Sequence, residues 1–600
     1  MKNNTLLYFI LFCSACFFAM TITSAGMYLN DEFVYGAQLE QLAKGHQITY
    51  NEGKYGYYSN GTIGNYFEAR DNILMYSITY PITAYPIYMV LINCGDWIHG
   101  VLIALWGIFG ISAFVGISSY MTNNWNAITT KFNIKRVKTI YYIIIGVMGC
   151  IFISTPIMAQ LYSNTYPPYG NLIPVEILAF VTLNIILFGI YCVFLLATIR
   201  ELWANNINKQ IFAFMLAIFC NSILFWVGTC KDHVFIATLF MITIYGIIAF
   251  NNSKQSYNYI LASVPLGILI WARPEVGIPA LCGFLIISAC MWLDYRKLQG
   301  KTFIVGLFAI ISGSSLLLLN NKITTNNIFI HPFLVANKAR DAFYGDTLTS
   351  AITILPEHIK NITHDIIGLF ILPKSGALSL ISIMPLTAIV ILSLIVYISV
   401  LIRNKNINEI YKLFTLNDIY ILILSMSSIS YYILYAGSAL SVDTGVTPDI
   451  RYFTLIYAPI LLITLNIFFK LHKNIDIPFI TQRMLIKSFN IICIITFIII
   501  IAANVTETYR DLALILNITS FILVTIYCLF IYYILCADLT KENIKNNYII
   551  SNLIYVLTTL LVIPFVWQMF LILIFSANIK ICSYSFIIPL TDFIYNFMFI

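Results

Sequence analysis

The chain has 600 residues, of which 60% are hydrophobic and only 10% are charged, and its net charge is +7. A soluble domain carries about a quarter charged residues, so this composition excludes a soluble globular protein. Apolar runs of about 20 residues recur from one end of the chain to the other, and each is long enough to cross a bilayer as a helix. The composition therefore predicts an all-α integral membrane protein that crosses the bilayer many times.

The basic residues do not indicate a nucleic-acid partner, because they lie in short loops between the apolar runs. Most of the 13 cysteines lie inside apolar runs, and so does the C-x-x-C spacing of Cys13 and Cys16. A disulfide framework and a zinc site are therefore both disfavoured. No P-loop, G-x-S-x-G or H-E-x-x-H motif occurs either, so nothing in the sequence indicates nucleotide chemistry.

The apolar runs predict about 13–15 membrane-spanning helices. We expect them near residues 5–27, 99–121, 138–158, 174–199, 210–228, 232–250, 258–272, 276–293, 302–320, 377–402, 418–437, 452–470, 486–504, 512–536 and 548–577. The segment 78–98 is expected to form an interfacial or an additional helix, and so is the tail after Lys580. The first run also has features of a signal peptide, although its length favours a retained helix.

The loops alternate in charge along the chain, and one set carries most of the basic residues. That set contains Lys2, Lys131, Lys135, Arg136, Lys138, Arg200, Lys209, Lys254, Arg296, Lys297, Lys301, Arg403, Lys405, Lys412, Lys470, Lys473, Arg483, Lys487, Lys541 and Lys545. The positive-inside rule places these loops in the cytoplasm. The two longest polar stretches, 28–77 and 321–376, then lie on the outer face of the cytoplasmic membrane.

The first apolar helix is followed at once by two acids, Asp31 and Glu32, in the stretch NDEFVYGAQLEQLAKG. Asn30 is a good N-cap, and acids in the first turn complement the helix dipole. Apolar residues at helical spacing then predict a short amphipathic helix on the outer surface. Both a purely structural role and a catalytic role at the membrane edge are open for this pair.

The outer turn KDH carries three ionisable groups, Lys231, Asp232 and His233, between two apolar runs. One interpretation is a self-paired lysine and aspartate, and the other is an anion site formed by Lys231 and His233. In WARPE, Pro274 disfavours a helical Arg273 and suits the first position of the next helix. Arg273 either pairs with Glu275 or contacts a phosphate.

Three further charged residues lie at predicted outer helix ends. Asp449 and Arg451 directly precede a helix, and arginine has a planar fork that matches phosphate oxygens. An interfacial anchor is the alternative for Arg451. Lys374 closes the second long outer stretch, where snorkelling of its side chain is the favoured interpretation.

Taken in order, these motifs resemble the GT-C superfamily of polytopic glycosyltransferases, in particular family 39-like protein O-mannosyltransferases and aminoarabinose transferases. The resemblance rests on NDEFVYGAQLEQLAKG, YPPYGNLIPVE (166–176), KDH, WARPE, NNKITTNNIFIHP (320–332) and PDIRYFTLIYAP (448–459). It covers residues 1–470 and leaves 471–600 as additional C-terminal helices. It implies a GT-C-like helical bundle with an amphipathic first outer loop.

The resemblance also implies an activity: inverting transfer of a sugar from a polyprenyl-phosphate donor to a glycan, lipid or protein acceptor in the cell envelope. Asp31 would be the general base, with Glu32 beside it. Lys231, His233, Arg273 and Arg451 would bind the donor phosphate, and Glu176, Asp232, Glu275, Lys374 and Asp449 would give support. No cofactor is firmly implied, although some members bind a divalent cation near the acids.

Two other classes of protein stay open. A flippase or transporter of lipid-linked saccharide would show inverted repeats and charges near the bilayer midplane, and the charges here gather at one face. A glycan polymerase or ligase would share the outer arginines but has no need of an acidic pair after the first helix.

Overall fold

The computed structural model describes residues 2–27, 30–45, 69–70, 73–74, 76–123, 175–204, 206–293, 298–332, 377–403, 411–435, 451–474, 509–536, 547–575 and 581–585, with a few isolated positions between them. The side chains of some residues at the ends of these ranges, including Asp31 and Arg451, are outside the description. The architecture is all-α, as the composition predicted.

The helices, in chain order, are α1 Lys2–Ile22, α2 Asn30–Ala43, α3 Thr79–Cys94, α4 Ile98–Asn123, α5 Val175–Leu202, α6 Ile207–Phe219, α7 Ile223–Val227, α8 His233–Ser253, α9 Ser256–Ala272, α10 Pro274–Leu293, α11 Gly300–Thr325, α12 Leu380–Ile383, α13 Pro385–Arg403, α14 Leu416–Tyr435, α15 Tyr457–Asn474, α16 Tyr509–Cys536 and α17 Asn547–Phe570. A π-helical turn, Leu571–Phe575, extends α17. Short 3₁₀ turns are Gly95–Trp97, Tyr411–Leu413 and Arg451–Phe453.

Nine of the described helices are long and apolar enough to cross a membrane. Four shorter apolar helices lie in α6, α9, α13 and α15. Their positions agree with the apolar runs, so the prediction of a multi-pass helical membrane protein is confirmed. The expected helices 138–158 and 486–504 lie outside the described residues.

The centre of the bundle is formed by α5 and α8, which pack against each other and are the most completely buried of the long helices. Close packing around them depends on glycine. A β-carbon on Gly313 of α11 would lie 2.8 Å from the backbone carbon of Gly267 in α9. Small residues let membrane helices approach this closely, and the contact joins α9 and α11 along their lengths.

The helix α2 forms where it was predicted, but it does not lie on the surface as an amphipathic helix would. Almost every described side chain from Phe33 to Leu39 is buried, and so are Glu32 and Gln41. The helix packs against the strand before it, against α3 and against α5. Among its buried polar residues, Gln38 donates a hydrogen bond from Nε2 to the Tyr76 carbonyl at 2.7 Å.

Two small antiparallel pairings complete the described fold. Strand β1, Ser24–Met27, pairs with strand β4, Ile581–Ser585, and the register places Ala25 opposite Tyr584. Strands β2, Ala69–Arg70, and β3, Ile73–Leu74, form a second pair. The first pairing brings the two ends of the chain together beside α2.

Two predicted helices are broken. The run 377–402 divides at Met384 into α12 and α13. The tail after Lys580 begins with strand β4 instead of a helix. The run 210–228 was expected to be continuous, but α6 ends at Phe219 and α7 begins only at Ile223. Asn221 explains the break, because its side chain accepts a hydrogen bond from the Ile223 N–H at 3.1 Å and so competes with the helical ladder. The short helix α7 leads directly into the turn that carries Lys231.

Candidate functional site

The turn 228–232 joins α7 to α8 and is held by side-chain hydrogen bonds to its own backbone. The Thr229 hydroxyl donates to the Trp226 carbonyl at 2.9 Å. Asn184 of α5 reaches across and donates to the Thr229 carbonyl at 2.8 Å. Asn184 is completely buried, so these bonds fix the turn against the central helix. The turn is therefore a rigid part of the core.

Asp232 and Arg273 form a buried bidentate ion pair. The Arg273 Nε and Nη2 atoms donate to the two carboxylate oxygens of Asp232, each at 2.8 Å. Asp232 is 2% exposed and Arg273 is 6% exposed. Asp232 stands at the N-cap position of α8, yet its side chain makes no capping bond there. Its carboxylate serves Arg273 instead, so it links the start of α8 to the break between α9 and α10.

Arg273 occupies that break as the sequence predicted. Its φ of −143° and ψ of 87° are non-helical, and Pro274 begins α10. The expected contact with Glu275 is present at 3.4 Å, although it is longer than the pair with Asp232. The internal ion-pair interpretation of Arg273 therefore describes the structure, with Asp232 as the main partner.

Tyr432 of α14 extends the same network. Arg273 Nη1 donates to the Tyr432 hydroxyl at 3.3 Å, and that hydroxyl donates to Glu275 Oε1 at 3.2 Å. The Tyr432 ring stacks on the Tyr452 ring with their centroids 4.4 Å apart. The network thus reaches α14 and the 3₁₀ turn that contains Arg451.

The pair holds both groups in their charged forms. Burial alone would raise the pKa of Asp232, but the charge and hydrogen bonds of Arg273, with the charges of Lys231 and His233, outweigh burial and hold that pKa well below its usual range. Burial alone would lower the pKa of Arg273, but Asp232 raises it above its usual value. The site therefore keeps fixed charges in a low-dielectric environment.

Glu32 lies against the same turn. Its Oε2 accepts a hydrogen bond from the Cys230 N–H at 2.8 Å, and its side chain is completely buried. This bond joins the first turn of α2 to the turn 228–232. Asp31 precedes Glu32 in the same helical turn, but its side chain lies outside the described part of the chain.

Lys231 is 1% exposed and lies over two aromatic rings. Its Nζ is 4.7 Å from the centroid of the Tyr76 ring and 5.5 Å from that of the Tyr35 ring. Those two rings stack on each other at 5.1 Å. A cation over aromatic faces is attracted by their quadrupoles, so the lysine charge is accommodated within the core.

A small cleft borders the ion-pair network, with a cavity volume of about 10 Å³, which is room for about one water molecule. Polar and apolar side chains share its wall. The lining residues are His233, Ile236, Arg273, Val276, Tyr432, Tyr452, Thr454 and Leu455. The His233 ring also packs edge-on against Trp226 at 4.5 Å.

The remaining predicted residues are not brought into this cluster by the described contacts. Glu176 is buried in the first turn of α5 and shares a hydrogen bond with Tyr88 of α3. Asn184, which does contact the turn, lies eight residues further along α5, or about 12 Å at the helical rise. Lys374, Asp449 and the side chain of Arg451 lie outside the described residues.

A divalent cation finds no ready set of ligands in what the structure describes. Among those residues, no three side chains of histidine, cysteine, aspartate or glutamate lie together as metal ligands would. We therefore derive no step through a metal ion.

Sequence reasoning missed Tyr432, Tyr452 and Asn184. Tyr432 and Asn184 lie within apolar runs, where a single polar residue gives little signal. Tyr452 follows Arg451, whose charge gives the stronger signal in the sequence. Burying an asparagine in a membrane-spanning helix costs free energy unless its side chain is hydrogen-bonded. The presence of Asn184 in an apolar run therefore indicates a hydrogen-bond partner within the bundle.

No family model and no curated protein matches the sequence. Among solved structures, the chain is similar to ArnT from Cupriavidus metallidurans, both in the apo state and bound to undecaprenyl phosphate. Each is 10% identical to this chain with a TM-score of 0.38, and each alignment covers 94% of this chain. They cover 76% and 77% of the ArnT chains, respectively. At such a TM-score the likeness carries no weight for a family or an activity.

Proposed function

We propose that this chain is a membrane glycosyltransferase that moves a sugar from a polyprenyl-phosphate donor to an acceptor hydroxyl. The reaction takes place on the outer face of the cytoplasmic membrane and inverts the anomeric carbon. Support comes from the order of the sequence motifs and from the contacts that bring Glu32 and Arg273 to the turn that carries Lys231 and Asp232. Buried charges at the ends of membrane helices are expensive and tend to mark working sites.

The hydrogen bond from the Cys230 N–H to Glu32 is the observation that carries the proposal. The two residues are far apart in sequence, and the bond sets the helix that begins with two acids directly against the turn of Lys231 and His233. An acid beside a group of cations is the arrangement that transfer from a phosphate ester requires. The acid accepts the proton of the nucleophile, and the cations stabilise the leaving phosphate.

In the proposed reaction, Asp31 takes the proton from the acceptor hydroxyl as its oxygen attacks the anomeric carbon. The bond between that carbon and the phosphate oxygen breaks, and its electron pair leaves with the polyprenyl phosphate. Glu32 holds α2 in place. Lys231, His233 and Arg451 are the proposed partners of the phosphate.

Arg273 is not among the proposed phosphate ligands, although the resemblance implied that role. Three of its nitrogen atoms already donate to Asp232, Glu275 or Tyr432. We therefore assign it to the wall of the cleft, where it fixes the relative positions of α8, α10 and α14.

The test is transfer by the purified full-length protein in detergent, with polyprenyl-phosphate-linked hexoses and pentoses as donors and release of polyprenyl phosphate as the readout. A transferase turns over without a sealed vesicle, whereas a flippase gives no product there. We expect Asp31→Asn to lower kcat by at least about 100-fold, which is typical of losing a general base.

Glu40→Gln is the matched control, because Glu40 lies on the same helix and pairs with Lys44 near its other end at 3.0 Å. It should keep wild-type turnover. The proposal is wrong if no donor is consumed by the wild type, or if Asp31→Asn turns over as fast as Glu40→Gln.

A further inference from the structure

We infer that the C-terminal segment, residues 547–585, positions the two elements between which the candidate site forms. This segment comprises α17, the π-helical turn and β4. It was expected to be an additional set of helices outside the glycosyltransferase module. The inference rests on the proposed function for its catalytic readout, while its structural part can be measured without any substrate.

The first brace is the pairing of β4 with β1. Ser24, Ala25 and Met27 of β1 are all at most 2% exposed, and the strand ends three residues before α2 begins at Asn30. Backbone pairing fixes both the position and the direction of a strand. β4 therefore determines how the chain enters the helix that carries Asp31 and Glu32.

The second brace acts at the end of α6. A helix end leaves carbonyl groups without intrahelical partners, and in an apolar interior they need a donor. Gln568 of α17 supplies one, because its Nε2 lies 3.4 Å from the Ile218 carbonyl and 3.5 Å from the Phe219 carbonyl. The Phe219 ring also packs edge-on against Phe565 at 4.6 Å.

The C-terminal segment also supports the turn 228–232 through α7. The π-helical turn, Leu571–Phe575, packs against α7, and α7 leads into the turn 228–232. The two braces thus hold opposite partners of a single bond, that between Glu32 and the Cys230 N–H. A rigid frame behind both partners sets the distance from the acids to the cations. Misplacement by about 1 Å in such a frame costs about 100-fold in rate.

Proline substitution in β4 tests the first brace. Alternate residues of a strand direct their N–H groups to the partner, and Tyr584 and Ser585 lie in regular register opposite Ala25 and Ser24, so either Tyr584→Pro or Ser585→Pro removes a ladder hydrogen bond. Tyr584→Ala and Ser585→Ala keep the N–H group and are the matched controls. The measurements are amide hydrogen exchange over residues 30–43 and steady-state transfer by the full chain.

We expect one of the two proline variants to exchange at least tenfold faster over residues 30–43 than its alanine control. Exchange over residues 233–253 should stay slow, which shows that the bundle is folded. In that variant kcat should fall about 100-fold while KM for the lipid donor stays within about threefold, because the acid is misplaced and the donor contacts remain.

Gln568→Met tests the second brace independently, because it keeps the side-chain volume and removes the donor. It should accelerate exchange over residues 223–233 and leave residues 30–43 protected. The inference is overturned if neither proline variant changes exchange over residues 30–43, or if exchange changes while kcat does not. If the wild type transfers no sugar, the proposed function fails, and the exchange data alone decide whether the segment holds α2.

Discussion

Replacing Asp232 with asparagine removes the charge opposite Arg273 and one acceptor of its two short hydrogen bonds. Both groups are almost completely buried, and each bond is 2.8 Å long. Breaking a buried pair in this way costs about 3–5 kcal/mol, mainly because one charge is left uncompensated. Glu275 lies 3.4 Å from Arg273 and offsets part of this cost, so we expect about 3 kcal/mol.

The assay measures the unfolding free energies of wild type, Asp232→Asn, Arg273→Met and the double variant in mixed micelles. These four values form a double-mutant cycle. If the two residues act on each other, the double variant should lose about 2 kcal/mol less than the sum of the single losses. The pair of Glu40 and Lys44, also a direct contact at 3.0 Å, is the control, because 44% of the Lys44 side chain is exposed. Its cycle should give about 0.5 kcal/mol or less. A coupling energy for Asp232 and Arg273 no larger than that of the control would refute the reasoning.

The stabilisation that the pair of Asp232 and Arg273 provides depends on pH. Arg273 holds the pKa of Asp232 below its unfolded value of about 4, so the stabilisation is fully present above that pH. It is lost as the pH falls through the lower pKa of the folded state. The difference in unfolding free energy between wild type and Asp232→Asn should therefore stay constant from pH 8 to pH 5 and narrow only below about pH 4. A difference that narrows between pH 8 and pH 5 would show that another group is responsible.

Two further substitutions test the supports of the site and of the bundle. Glu32→Ala removes the acceptor of the buried Cys230 N–H and should cost about 1–3 kcal/mol in unfolding free energy. Glu32→Gln keeps an acceptor oxygen and should recover most of that loss; equal losses would argue against the hydrogen bond. Gly313→Ala drives a β-carbon into the backbone of Gly267 and should lower the thermal midpoint, at a cost of about 1–3 kcal/mol. Gly107→Ala meets no atom within 4 Å and should be neutral or stabilising, so a similar loss in both variants would contradict the packing argument.

The membrane helices could be predicted because the thickness of the bilayer is recorded in local runs of apolar residues. The break at Arg273 was equally local, since Pro274 restricts the residue before it and favours the first position of a helix. Charged residues at the ends of predicted helices also identified most of the candidate cluster. These features need only neighbours in sequence to be recognised.

The partners within the cluster could not be predicted in this way. One interpretation paired Asp232 with its neighbour Lys231, and another paired Arg273 with its neighbour Glu275. The short hydrogen bonds instead join Asp232 to Arg273, because the packing of α8, α9 and α10 brings these two together. The burial of α2 was missed for a similar reason: its polar residues suggest an exposed face, and only distant segments supply their partners.

The pairing of β1 with β4 has a consequence for the order in which the protein matures. The strand β4 is synthesised only after β1 and the many helices that lie between them in the chain. At 5–20 residues per second, roughly half a minute to two minutes separates the two strands during translation. The acidic helix therefore gains this support only after the helices between the two strands have been made. A chain that stops before β4 would lack the pairing, so the entrance to the acidic helix is completed late in synthesis.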